Sequence, residues 1–235
     1  MVKAKDFRLG SIQFSVFTPF VNFQKSSILN TLISNFNYIF NGEVITLPVP
    51  ESPKQDYLQL MMTSEDKKMR LEIAPLRINM FRSLGEEEPS IEDSSFFKIS
   101  LDVFKKYLEH TSARVGRLAI VVIRHLEIEK PGFVLANHFC KKELMEEPFD
   151  RPEGFEIHAH KKYTISDFMV NSWVRCKAGS LVKNKKSIIL VEQDINTLSE
   201  ETEKNDFNIE QIQNFCKLIY EEQYLILCKY FRNNG

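Results

Sequence analysis

The sequence predicts an α+β fold, a mainly antiparallel sheet backed by helices. Two periodicities and one ordering predict it. Apolar residues alternate with polar ones in some stretches and recur at three-and-four spacing in others, and the order strand, helix, strands, helix runs along the 235 residues twice. The two similar halves, 1–112 and 113–235, are expected to pack as one compact unit; the order of elements repeats, and no residue-level repeat accompanies it.

Ile12, Phe14 and Val16 alternate with Gln13 and Ser15, the pattern of a strand with one buried face, and Pro19 ends it. Ile28, Leu29, Leu32, Ile33, Phe36, Ile39 and Phe40 then form the apolar stripe of a helix, with Asn41-Gly42 expected as a left-handed stop. Four short strands are expected at Val44–Val49, Tyr57–Met62, Met69–Ala74 and Arg77–Arg82. They are separated by Pro50-Glu51-Ser52-Pro53, Ser64-Glu65-Asp66 and Pro75. After the acidic loop Gly85–Pro89, Phe97, Leu101, Phe104 and Leu108 mark the helix that closes the first half.

The second half opens on Val115–Ile128, whose run Leu118–Ile123 is apolar on both faces and so predicts a central strand. A helix over Pro131–Leu144 and strands at Phe155–Tyr163, Ile165–Lys177 and Ser187–Gln193 follow. The last helix starts at an Asn208 cap and carries Ile209, Ile212, Phe215, Cys216, Ile219, Tyr220, Gln223 and Leu227 on its inner face.

Basic and acidic side chains nearly cancel, 31 against 32, so no global attraction to nucleic acid or anionic lipid exists and any such affinity must be local. No apolar run approaches the roughly 20 residues of a membrane-spanning helix, and Met1–Phe7 has no signal-peptide core. A soluble cytoplasmic protein is expected. Cys140, Cys176, Cys216 and Cys228 show no CxxC spacing, which suits reduced thiols.

Several segments together carry a resemblance: Leu71–Arg82, Arg117–Arg124, Ile188–Asn196 and the final helix from Ile209 to Phe231. With these the chain resembles a sporadically distributed, uncharacterised bacterial family of similar length that has no established activity. The resemblance implies the two-half α+β architecture and a bacterial setting, with accessory or defence-linked roles. It implies no catalytic residue.

The sharpest chemical candidate is Glu156-Ile157-His158-Ala159-His160, because residues two apart on a strand point to one side and both imidazoles then reach one ion. His158 and His160 are therefore candidate zinc or other divalent-metal ligands for a hydrolase, with Asp167, His138, Cys140 or Asp194 as further ligands if the fold gathers them. Two exposed histidines on a half-solvated strand beside Lys161 and Lys162 explain the pair more simply, since none of the further ligands stands at a diagnostic spacing. A basic cluster, Lys161, Lys162, Arg175, Lys177, Lys183, Lys185 and Lys186, joins those histidines on adjacent strands and a hairpin tip, with Tyr163 and Trp173 interleaved. Such a surface tracks phosphates and stacks bases, although charged loops also keep hairpin tips in solution and Trp173 suits a core position. The acidic residues Glu192, Asp194, Glu200, Glu201, Glu203, Asp206 and Glu210 come directly afterwards and are complementary to it, which suits self-association or a protein partner.

No Gly-rich phosphate loop, GxGxxG, nucleophile elbow or HExxH occurs, so nucleotide hydrolysis, dinucleotide chemistry, serine hydrolysis and zincin proteolysis lose their usual support. The leading expectation is a non-enzymatic binding or scaffold protein that contacts a protein partner or itself, as an accessory component of a bacterial defence or toxin-linked system. Nucleic-acid binding across His158–Lys186 is the first alternative. A metal-dependent hydrolase using His158 and His160 is the second.

Overall fold

The computed structural model describes residues 2–19, 21–48, 56–84, 93–147, 150–181 and 185–232. In the first half, β1 (Arg8–Phe17) leads to α1 (Lys25–Phe36), then β2 (Val44–Thr46), β3 (Leu60–Thr63), β4 (Met69–Ala74), β5 (Arg77–Ser83) and α2 (Asp93–Thr111). In the second, β6 (Arg117–Glu127) leads to α3 (Pro131–Phe139), β7 (Glu156–Ile165), β8 (Phe168–Ser180), β9 (Ser187–Thr197) and α4 (Ile209–Tyr230). All nine strands join one antiparallel sheet in the order β2-β3-β4-β5-β1-β6-β9-β8-β7. The expected α+β class is therefore observed, and the two runs of elements meet where β1 pairs with β6.

Alternation decides which face the helices take. Ile12, Phe14 and Val16 of β1 lie in one buried layer with Leu118, Ile120 and Val122 of β6 and with Val191 and Ile195 of β9. Phe14 meets Phe97 and Phe104 of α2 edge-on, at ring distances of 6.0 and 5.0 Å. On α4, Phe215 packs against Phe168 of β8, and its stripe of Ile212, Cys216, Ile219 and Leu227 is buried. Leu32 of α1 and Leu135 of α3 complete the same core. The helices thus occupy one side of the sheet.

Within this apolar layer lies a buried polar network. Arg124 Nη1 donates to Gln193 Oε1 at 2.6 Å, Gln193 Nε2 donates to the Gln223 carbonyl at 2.6 Å, and Gln223 Nε2 donates to the carbonyls of Ile120 (2.9 Å) and Gln193 (3.0 Å). It ties α4 to β6 and β9 through groups that cannot reach water.

Several expectations change at element ends. β2 stops at Thr46 rather than Val49, β3 starts at Leu60 rather than Tyr57, and Ile165 closes β7 rather than opening β8, which runs from Phe168 to Ser180. α1 stops at Phe36, with Asn37 still right-handed, and no described glycine has a positive φ. Gly42 serves instead as a close-approach residue, since a Cβ there would come within 2.6 Å of the Ser64 carbonyl oxygen. The third helix ends at Phe139 rather than Leu144, with a short 3-10 turn over Lys142–Met145, because Lys141, Lys142 and Glu143 in succession offer no apolar face to bury. β9 runs on to Thr197 rather than ending at Gln193, and so takes in the first acidic residues, Glu192 and Asp194. The α4 cap is as expected: Asn208 Oδ1 accepts from the Gln211 N–H and Gln211 Oε1 from the Asn208 N–H, at 2.9 and 3.0 Å. The breaks at 50–53 and 85–89 lie outside the described residues.

Candidate binding face

The side of the sheet away from the helices is ordered by strand register. One row runs through all nine strands: Lys162, Asn171, Asn196, Ala119, Ser15, Asn79, Glu72, Met61 and Ile45. The next row runs His160, Trp173, Asp194, Val121, Gln13, Phe81 and Arg70. Ser15, Asn79, Asn196 and Ala119 are only 1%, 3%, 3% and 7% exposed although no helix lies over them. Around these small side chains stand the larger Phe17, Arg117, Val121 and Phe81.

Apolar and ion-paired groups share this face. Val121 and Ile123 of β6, Leu190 of β9 and Trp173 of β8 are half-buried. Arg117 lies over the Phe17 ring at 4.7 Å while its Nη2 donates to Asn196 Oδ1 at 2.8 Å, and Arg70 lies over Phe81 at 4.3 Å. At the strand ends lies a groove of about 1330 Å³ where Phe17, Thr111, Ser112, Arg117, Glu200 and Lys204 meet. Sequence reasoning missed Phe17, Phe81, Val121, Ile123 and Arg117 as surface residues. The signal was present in Leu118–Ile123: a strand apolar on both faces needs cover on both, and only one side has helices.

The basic cluster is brought together, but most of its charges are already answered. Arg175 Nη1 pairs with Glu192 at 2.9 Å, Lys162 with Glu200 at 2.7 Å, and Lys186 with Glu127 at 2.8 Å. Two of those carboxylates belong to the acidic stretch, so the basic and acidic runs largely neutralise each other within the chain. Lys161 points to the opposite side, over Tyr163 at 4.7 Å. Lys177 is half-buried on β8, Lys185 is exposed with a positive φ at the β8–β9 turn, and Lys183 lies outside the described residues. The Lys162 hydrogen bond holds Glu200 down at about 2, and the Lys186 hydrogen bond likewise lowers Glu127.

His158 and His160 do share a side, as their spacing predicts, but each is engaged elsewhere. His158 Nε2 is 2.6 Å from Glu156 Oε1. His160 stacks on Trp173, rings 4.1 Å apart and 15° from parallel, and bonds to Asn171 Oδ1. Trp173, weighed as a core residue, is on the helix-free face. Among the described residues no group of three or more His, Cys, Asp or Glu is placed to hold a metal ion. All four cysteines are free thiols, Cys176 and Cys216 buried.

Asp194 is the most constrained acid here. Burial raises its pKa above the ordinary carboxylate value, against the Asn196 Nδ2 hydrogen bond (2.9 Å) and the positive charges of Arg117 and Arg175. Keeping this group ionised costs stability. Asp194→Asn is expected to raise stability at neutral pH by about 1 kcal/mol. Because the folded-state pKa is the higher one, that gain is full above it and disappears as pH falls below the unfolded value. Thermal midpoints of both proteins across pH 3–8, on the order of one point per pH unit, test this; a gain that grew on acidification would refute it.

No family model matches the chain, and no curated protein matches it. Among solved structures, the chain is similar to a Methanococcus jannaschii TBP, at 12% identity over 92% of this chain and 98% of that one, with a TM-score of 0.23. It is also similar to the di-domain ARO/CYC StfQ from the steffimycin biosynthetic pathway, at 8% identity, 94% and 97% coverage and a TM-score of 0.20. Superposition at that level bears on neither chemistry nor partners. No described helix is long and apolar enough to cross a membrane.

Proposed function

We propose that the protein is a non-enzymatic binding module whose helix-free sheet face docks a protein partner. The observation that carries this reading is β6, apolar on both faces while helices cover one, so that half-buried Val121 and Ile123 share the helix-free face with Trp173 and Phe81, interleaved with Asp194 and Gln13. Protein interfaces combine an apolar, aromatic centre with a polar rim. Pre-formed ion pairs such as Arg175–Glu192 fit a partner of mixed charge better than a polyanion, which has to displace the carboxylates first. The family resemblance adds a setting, an accessory component of a bacterial defence or toxin-linked system.

The test is capture from native lysate after nuclease treatment, with wild type, Val121→Asp and Trp173→Asp as baits. A protein retained by wild type should fall at least about tenfold on either variant, since a charge then replaces a central contact, while circular dichroism stays unchanged. Recovery that vanishes with nuclease and weakens steeply with salt would transfer the function to nucleic-acid binding through the stacked His160–Trp173 pair and the lysines beside it.

A further inference from the structure

β7 ends the sheet, and among the described residues no backbone group of Glu156–Ile165 bonds to any strand but β8. In the first half the corresponding strand β3 is covered by Val44–Thr46. Among the described residues no strand covers β7 in the same way. Between α3 and β7 the described chain forms the 3-10 turn at Lys142–Met145 and irregular backbone, so three strands follow α3 where four follow α1.

The free groups on that edge can be assigned. The Ala178 N–H donates to the Phe155 carbonyl at 3.0 Å, one step before the Glu156–Lys177 pair. In an antiparallel ladder the bonded pairs alternate, so Ile157, Ala159 and Lys161 turn their backbone to β8. Glu156, His158, His160, Lys162 and Thr164 then turn N–H and C=O outward. The edge is about 33 Å long at strand rise, ample for a further strand.

Its charge selects the occupant. His158, His160, Lys161 and Lys162 occupy the middle, and Glu156 is the lone acid at one end. A second copy paired antiparallel about His160 would set that histidine against itself and Lys162 against His158. An acidic strand meets no such repulsion, and the exposed Glu156 and Glu200 that hold His158 and Lys162 exchange partners at little cost. We infer that β7 accepts an extended acidic segment of a partner protein as a tenth strand. The inference rests on the protein-binding reading for its class of partner and uses the backbone edge of β7, at the margin of that face rather than its middle.

The probe is a fluorescein-labelled peptide of alternating glutamate and valine, with its lysine–valine counterpart, titrated into the full chain by anisotropy and followed by amide exchange. The acidic peptide should bind and slow exchange at His158, His160 and Lys162; the basic one should not bind. His158→Pro removes one outward N–H and no bond to β8, so it should keep the thermal midpoint yet weaken binding at least about tenfold. Lys162→Glu should weaken it comparably. Absence of binding, unchanged exchange at those amides under saturation, or full affinity in His158→Pro would each overturn the inference. Protection that appears without peptide as the protein dimerises would also overturn it, in favour of a second copy. Val121→Asp, three strands in from β7, separates the two surfaces: loss of lysate capture with intact peptide binding supports both, and capture without peptide binding leaves only the face.

Discussion

Replacing Gln193 with leucine is expected to cost about 2–4 kcal/mol, although the side chain is completely buried and leucine is more apolar. The change takes from Arg124 the Oε1 acceptor that its Nη1 holds at 2.6 Å, and from the Gln223 carbonyl the Nε2 donor at the same distance. Arg124 is 5% exposed, so water cannot replace what is lost. Urea unfolding should show a lower midpoint at unchanged slope. The double variant Gln193→Leu/Arg124→Leu should be less damaged than Gln193→Leu alone, because removing both partners leaves no buried guanidinium N–H facing an apolar side chain. A double variant that is the worse of the two would mean the network contributes packing rather than hydrogen bonding.

Phe14→Ala should be more damaging still, at about 3–5 kcal/mol for a cavity of that size in a rigid layer. Phe14 has no exposed surface and fills the space between β1 and the rings of Phe97 and Phe104. It also sits on the strand that pairs with both β5 and β6. Loss of packing there should therefore weaken both halves at once. Hydrogen exchange should show β4 and β8 losing protection in a single transition, as one cooperative core requires. Earlier loss in β4 alone would divide the molecule at the β1–β6 seam.

Local periodicity made most elements legible. Ile12, Phe14 and Val16 have their alternate neighbours on the other face, and the α4 stripe from Ile212 to Leu227 is buried as its spacing requires. Ends were harder where no residue forces a stop: α3 runs out at Phe139 because the next side chains have nothing to pack against. β9 outlasts its expected end because Ile195 and Thr197 keep the alternation that Asp194 and Asn196 disguise as a polar loop. The order of the helix-free face was much less legible. Trp173, Asp194, Val121, Gln13 and Phe81 form one row only once four strand pairings are known, and no local pattern fixes those registers. The basic and acidic runs were visible as charges, while their mutual neutralisation depended on β8 and β9 lying side by side.

The seam strand also constrains how the molecule is made. Phe14 pairs with Met80 and with Ile120, so one flank of β1 is served by residues translated soon after it and the other by residues much later. As the chain leaves the ribosome, β5 can zip onto β1 while the opposite flank waits bare for β6, and a nascent strand in that condition is a hazard for mispairing. Stalling synthesis between Ser83 and Arg117 should therefore yield nascent chains that bind chaperones more avidly than chains released with β6 in place.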